Sequence, residues 1–208
     1  MRAPREVHVY RSLAQLAEQA AHCRDCPLWK NATQTVFGAG PRSARIVLVG
    51  EQPGDQEDRS GQPFVGPAGK LLDRALVDAA IDRKTTYVTN AVKHFKWEPR
   101  GKRRIHKKPG ELEIGACHQW LERELALIRP ALIVALGATA ARAVFGRATA
   151  IEKNRGHIIA GAQAKSALDA DLLVTVHPSF LLRVPDEDRD AAYQRFVADL
   201  KLVRPYAS

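Results

Sequence analysis

Four short aliphatic runs most constrain what this chain can fold into. Ile46 to Val49, Tyr87 to Thr89, Leu132 to Leu136 and Leu172 to Val176 are rich in Val, Ile and Leu, as strands buried on both faces are. Helical patterns stand between and after them, at Ala68 to Ala80, Glu111 to Ile128, Ala138 to Phe145 and Asp186 to Val203. Such alternation predicts an α/β fold, a three-layer α/β/α arrangement around a central, mostly parallel four-stranded sheet. At 208 residues and 45% hydrophobic the chain can bury one core but has no room for two independent ones, so residues 1–208 read as a single domain. Ser12 and Gln15 form a capping box, and Leu13, Leu16, Ala17 and Ala20 follow at helical spacing. Residues 1–22 are therefore expected to be an N-terminal helical arm.

Charge narrows the class of partner. The chain carries +9 with its histidines neutral, and the excess is concentrated. Between Lys93 and Lys108 stand eight basic residues (Lys93, Lys96, Arg100, Lys102, Arg103, Arg104, Lys107 and Lys108) against Glu98 alone, a net +7. Phe95, Trp97, Pro99, Gly101, Pro109 and Gly110 are interleaved, so 93–110 reads as a long inserted loop. It is a solvated basic loop, a localisation-type basic run, or a surface that neutralises successive phosphates of a nucleic acid; the clustering favours the last. No apolar run is long enough to span a bilayer, Met1 to Ser12 lacks the apolar centre of a signal peptide, and three cysteines cannot pair fully. The expectation is a cytoplasmic protein with no membrane association.

Ligands of open α/β sheets bind beyond the carboxyl ends of the strands. Gly50-Glu51-Gln52-Pro53-Gly54-Asp55 follows the first run, Asn90 ends the second, Gly137 meets the third and His177-Pro178-Ser179 follows the fourth. Singly, Glu51 could be a solvated acid, Asn90 a turn residue and His177 a helix-entry histidine. Together they predict one cleft holding carboxylate, amide and imidazole beside the basic segment. Cys23-x-x-Cys26 and Cys117 add three thiols, compatible with zinc, an iron–sulfur cluster or a redox pair, and a fourth ligand could come from any of seven histidines.

These residues resemble the uracil-DNA glycosylase superfamily, near its iron–sulfur family 4 members and especially the UdgX branch that crosslinks to uracil-containing DNA. The matching motifs are Gly50 to Asp55, Gln62-Pro63-Phe64-Val65-Gly66-Pro67-Ala68-Gly69, Tyr87 to Phe95, Lys102-Arg103-Arg104-Ile105-His106-Lys107-Lys108-Pro109 and Val176 to Ser179. The Arg-Arg-Ile-His element is the mark of the UdgX branch. The resemblance implies base flipping, with Phe64 stacking under uracil, Asn90 bonding its Watson–Crick edge and His177 donating toward O2. An amide suits uracil and leaves buried polar groups unpaired against cytosine. Gln52, Gly54, Asp55, Asp58, Ser179 and Arg183 would complete the substrate set. Lys93, Lys102, Arg103, Arg104, Lys107 and Lys108 would contact DNA.

The resemblance further implies that His106 attacks C1′ in place of water, with Glu51 orienting it and accepting its proton. A family 4 cysteine is replaced here by His94, which implies a [4Fe-4S] cluster on Cys23, Cys26, His94 and Cys117, against zinc on the same four residues. The expected protein is a monomeric uracil-DNA glycosylase, a DNA-repair enzyme preferring single-stranded DNA, that works in a single turnover through a covalent adduct. A conventional turnover glycosylase and a non-catalytic iron–sulfur DNA-binding module are the alternatives.

Overall fold

The structure is a computed structural model and describes residues 10–148, 150–164 and 170–207. Residues 1–9 of the expected arm, with His8, lie outside the described residues. In chain order come α1 (Leu13–Ala21), β1 (Ile46–Gly50), α2 (Asp55–Ser60), α3 (Pro67–Asp78) and β2 (Thr86–Asn90). Then follow β3 (Trp97–Arg100), β4 (Arg103–His106), α4 (Glu111–Ile128), β5 (Leu132–Leu136), α5 (Ala138–Phe145) and α6 (Ile151–Asn154). The chain continues through β6 (Ile158–Ile159), α7 (Gly161–Ala164), β7 (Asp171–Thr175), α8 (Pro178–Leu181) and α9 (Asp186–Lys201). Among the described residues, no helix is long and apolar enough to cross a membrane.

The main sheet runs β2-β1-β5-β7-β6, its first four strands parallel and β6 antiparallel to β7. It therefore has five strands, not four: β6 is two residues long, too short to write a pattern into the sequence. Successive side chains alternate between faces, so each strand feeds two cores. Ile46, Leu48, Leu132 and Val134 pack with Leu72 and Leu76 of α3 and Phe196 and Leu200 of α9. Val47, Val49, Ile133 and Ala135 pack with Leu16 and Ala20 of α1 and Leu121 and Leu125 of α4. That gives the three expected layers.

The basic segment is not a loop: β3 and β4 form an antiparallel hairpin with Arg100 opposite Arg103. Gly101 sits at φ 58, the left-handed position that a two-residue hairpin turn assigns to glycine, so the breaker is the turn itself. Pro99 is tolerated because a two-stranded ribbon has free edges on both sides.

Lys93, expected at the DNA surface, is 1% exposed. Its ammonium meets Glu124 Oε2 of α4 at 2.5 Å, Thr89 Oγ1 at 2.6 Å and the Asn90 carbonyl at 2.8 Å. Glu124 also accepts from Tyr87 Oη at 2.8 Å and from the Gly38 amide at 3.1 Å. Burial, then the Glu124 charge, pushes the Tyr87 hydroxyl far above its ordinary range, so it stays a donor. Removing one partner of such a pair strands the other charge. Glu124→Ala is expected to lower stability by about 3 to 5 kcal/mol in urea denaturation, and Glu124→Leu with Lys93→Met to recover most of it.

Candidate active site

Four parallel strands deliver the site. Glu51 follows β1, Asn90 ends β2, Gly137 follows β5 and His177 stands just beyond β7, where it caps α8. All four line one cavity of about 720 Å³, with Gln52, Gly54, Asp55, Phe64, His106, Ser179 and Arg183 also in its wall. Of the residues expected to handle substrate, only Asp58 is absent from that lining.

The floor depends on two glycines. A Cβ on Gly50 would stand 2.4 Å from Asn90 Oδ1 and 2.6 Å from Phe64 Cζ, so the missing side chain is what lets amide and ring meet. Asn90 is buried, and no hydrogen bond to another described residue occupies its carboxamide. Phe64 is held at φ 58, a strained conformation for an aromatic residue. The first turn of α3 packs directly against this backbone, which requires glycine there: a Cβ on Gly69 would lie 1.9 Å from the Phe64 carbonyl oxygen. The Phe64 ring centre is 6.3 Å from that of His177.

His177 Nδ1 accepts from the Ser179 amide at 3.1 Å, with Ser179 Oγ at 2.8 Å. Its proton therefore sits on Nε2. Burial lowers the His177 pKa to about 4, with His106 and Arg183 adding to the effect against Glu51. Across the cavity His106 Nε2 stands 3.3 Å from Glu51 Oε1, while Glu51 Oε2 accepts a hydrogen bond from Thr139 Oγ1. Burial pushes the Glu51 carboxyl up, but hydrogen bonds from His106 and Thr139 and the charges of His106 and His177 outweigh it and hold the group below its ordinary range.

Several expected substrate contacts are instead struts. The Gln52 amide donates to the carbonyls of Lys96 (3.2 Å) and Lys107 (3.0 Å) and accepts from the Lys96 amide (3.1 Å), clamping both strands of the hairpin at its base. The amide of Gly54, expected in the substrate set, donates to Glu57 Oε2 at 3.1 Å. Glu57 Oε1 takes the Gly66 amide at 2.7 Å, so this one buried carboxylate ties the two loops around Phe64 together. Sequence reasoning missed Glu57 and Thr139. Glu57 stood at capping-box spacing from Gly54 and could have been found; Thr139 carries no such signal.

Arg104, expected on DNA, is 13% exposed and pairs with Asp55 and with Asp58 at 2.6 Å. Its guanidinium stacks between Phe95 and Trp97, with ring centroids 5.5 and 5.4 Å away. Asp58 also takes the Thr33 amide at 3.0 Å, which explains its absence from the cavity. Lys102, Arg103, Lys107 and Lys108 are exposed on the hairpin, as is Arg100.

Behind the hairpin, Cys23, Cys26, His94 and Cys117 line a second, smaller pocket. Among the described residues no three His, Cys, Asp or Glu close on a single ion. Cys117 Sγ accepts the Lys93 amide and Cys23 Sγ the Trp120 indole N–H, both at 3.2 Å. Burial pushes Cys117 up to about 12 and His94 down. Three thiols and an imidazole are a donor set that fits a metal ion or a metal cluster, whose positive charge would ionise the thiols.

A family model described as the uracil DNA glycosylase superfamily matches residues 37–201. A type-4 uracil-DNA glycosylase of Thermotoga maritima is 40% identical over 169 residues, covering 81% of this chain and 82% of its own length. One from Pyrobaculum aerophilum is 34% identical over 177 residues, covering 83% and 86%. A type-5 uracil-DNA glycosylase of the same organism is 30% identical over 158 residues, covering 67% and 63%.

The His177 shift fixes a sign for acid stability. The unfolded chain protonates this imidazole near 6.5 and the folded chain only near 4, so between those values the unfolded state binds more protons. The contribution is complete above 6.5 and lost as pH falls toward 4. Thermal melts across that window should show His177→Asn losing less stability on acidification than the wild type.

Proposed function

The chain belongs to the uracil-DNA glycosylase superfamily, and on that premise we propose that it excises uracil from DNA and ends joined through His106 to the deoxyribose C1′. The observation that carries this reading is the 3.3 Å contact of His106 with Glu51 at a cavity that also holds Asn90, Phe64 and His177. A flipped uracil stacks on Phe64 and pairs its N3–H and O4 with the Asn90 carboxamide. His177, its Nε2–H fixed by Ser179, donates to O2. As the C1′–N1 bond breaks, its electron pair leaves with uracil, and this donor stabilises the anion formed. Positive charge builds on the sugar, facing the ionised Glu51. A His106 lone pair closes the new bond to C1′, and the ring's proton passes to Glu51.

Exposed Arg100, Lys102, Arg103, Lys107 and Lys108 line the path of the strand, single-stranded DNA being the substrate that flips at least cost. Cys23, Cys26, His94 and Cys117 would hold a [4Fe-4S] cluster, which supplies a clamp joining the segment after α1 to α4 and the hairpin base. Iron and acid-labile sulfide should be present in anaerobically purified protein and fall sharply in Cys117→Ala; protein carrying zinc and no sulfide would overturn the cluster assignment.

A second reading, ordinary turnover with water taking C1′ and Glu51 accepting its proton, is favoured by the type-4 relatives at 34 to 40% identity. The two part on one gel. Single-stranded uracil-containing DNA should yield a denaturation-resistant protein–DNA band, and His106→Ser should abolish the band while releasing free uracil with turnover. Uracil released by the wild type without a band would establish the second reading; no uracil from either protein would leave a DNA-binding module.

A further inference from the structure

We propose that Thr139 is the positioning residue that makes Glu51 a proton acceptor. This rests on the reading of Glu51 given above and goes beyond it by naming what sets that carboxylate. Glu51 presents one oxygen to His106 and the other to the Thr139 hydroxyl. A carboxylate held at one oxygen only would swing about its terminal torsion, which is broad. Held at both, it has one orientation.

Thr139 is delivered rigidly. It lies in the first turn of α5, is 3% exposed, and follows Gly137, which sits at φ 89. The Gly137 amide donates to the Thr175 carbonyl at 2.9 Å and its own carbonyl accepts from Ala141 at 3.0 Å, so the helix start is sewn onto β7. A Cβ on Gly137 would come within 3.0 Å of His177 Cβ, so glycine lets the helix start lie close against His177. A threonine in a first turn can satisfy its hydroxyl on local backbone. Here the hydroxyl reaches Glu51 of β1's exit, 88 residues away in sequence. The ionisable groups facing Glu51 are His106 from β4 and His177 beyond β7; Thr139 is its uncharged donor from α5.

Thr139→Val keeps the volume and removes the donor, and Thr139→Ser restores the donor with less volume. In single-turnover assays on uracil-containing single-stranded DNA, Thr139→Val should release base about tenfold more slowly, the scale of one hydrogen bond to a charged group, with its acidic limb displaced to higher pH. Thr139→Ser should return both rate and limb to wild type. Valine matching wild type in both, or serine failing as valine does, overturns the proposal, the latter by assigning Thr139 to packing. A wild-type protein that releases no uracil fails the functional reading instead. The Thr139 assignment is then still decided without DNA, by carbon-13 NMR titration of the Glu51 carboxyl, identified by its loss in Glu51→Gln. A higher midpoint in Thr139→Val than in wild type and Thr139→Ser supports it, and an unchanged midpoint overturns it.

Discussion

The register of β1 is the constraint on which the site depends. Gly50 pairs with Asn90 across the β1–β2 ladder, so the last residue of one strand lies beside the last residue of the other. Because that position of β1 has no side chain, the Asn90 carboxamide and the Phe64 ring occupy the space a Cβ would fill. One residue further on, the chain turns out of the sheet and carries Glu51 to the opposite wall. A slip of one position would exchange the two faces of the sheet and put a branched side chain where the amide now lies. The hydrophobic alternation that builds two cores thus also fixes where Asn90 and Phe64 meet in the site.

The hairpin depends on this register at one remove. Its strands do not join the main sheet; they are carried by side chains. Gln52 clamps both at the base, and Arg104, two residues before His106 on the same strand face, ties β4 to Asp55 and Asp58 at the start of α2. Phe95, 2% exposed, backs the His106 ring at 6.2 Å. His106 is half exposed, yet its direction is set from three sides, an arrangement that suits the attack on C1′ proposed for it.

The main strands and helices were legible because burial on both faces and helical periodicity leave direct marks in the sequence. The cleft residues were legible because they stand at strand ends. What escaped was whatever depends on a distant partner. Lys93 and Lys102 look alike in the chain, yet one lies inside against Glu124, 31 residues away, and the other is in solvent. Gln52 and Gly54 sit in the same motif as Glu51, and Asp58 just after it, but their polar groups serve the scaffold. Thr139 looks like any residue of a helical first turn until β1 and β5 are laid side by side. Pro99 and Gly101 were read as breakers because a ribbon held by side chains outside the sheet has no pattern of its own.

The same bookkeeping alters the meaning of the charge. Of the eight cations between residues 93 and 108, Lys93 pairs with Glu124, Lys96 with Glu113, Arg104 with Asp55 and Asp58, and Lys107 with Glu98. Arg100, Lys102, Arg103 and Lys108 are exposed and in no ion pair among the described residues. Three of these four flank the turn at Gly101, at the far end of the hairpin from the Gln52 clamp. Cations already neutralised by a carboxylate release few counterions on meeting a phosphate, so the field available to a polyanion is concentrated at the tip. Of the paired cations, Lys96 and Arg104 tie the ribbon to α4 and α2, while Lys107 with Glu98 joins its two strands. On the proposed function, a strand drawn to the tip would be held by salt-sensitive contacts, while His106 and Glu51 stand at the other end of the ribbon, near the Gln52 clamp.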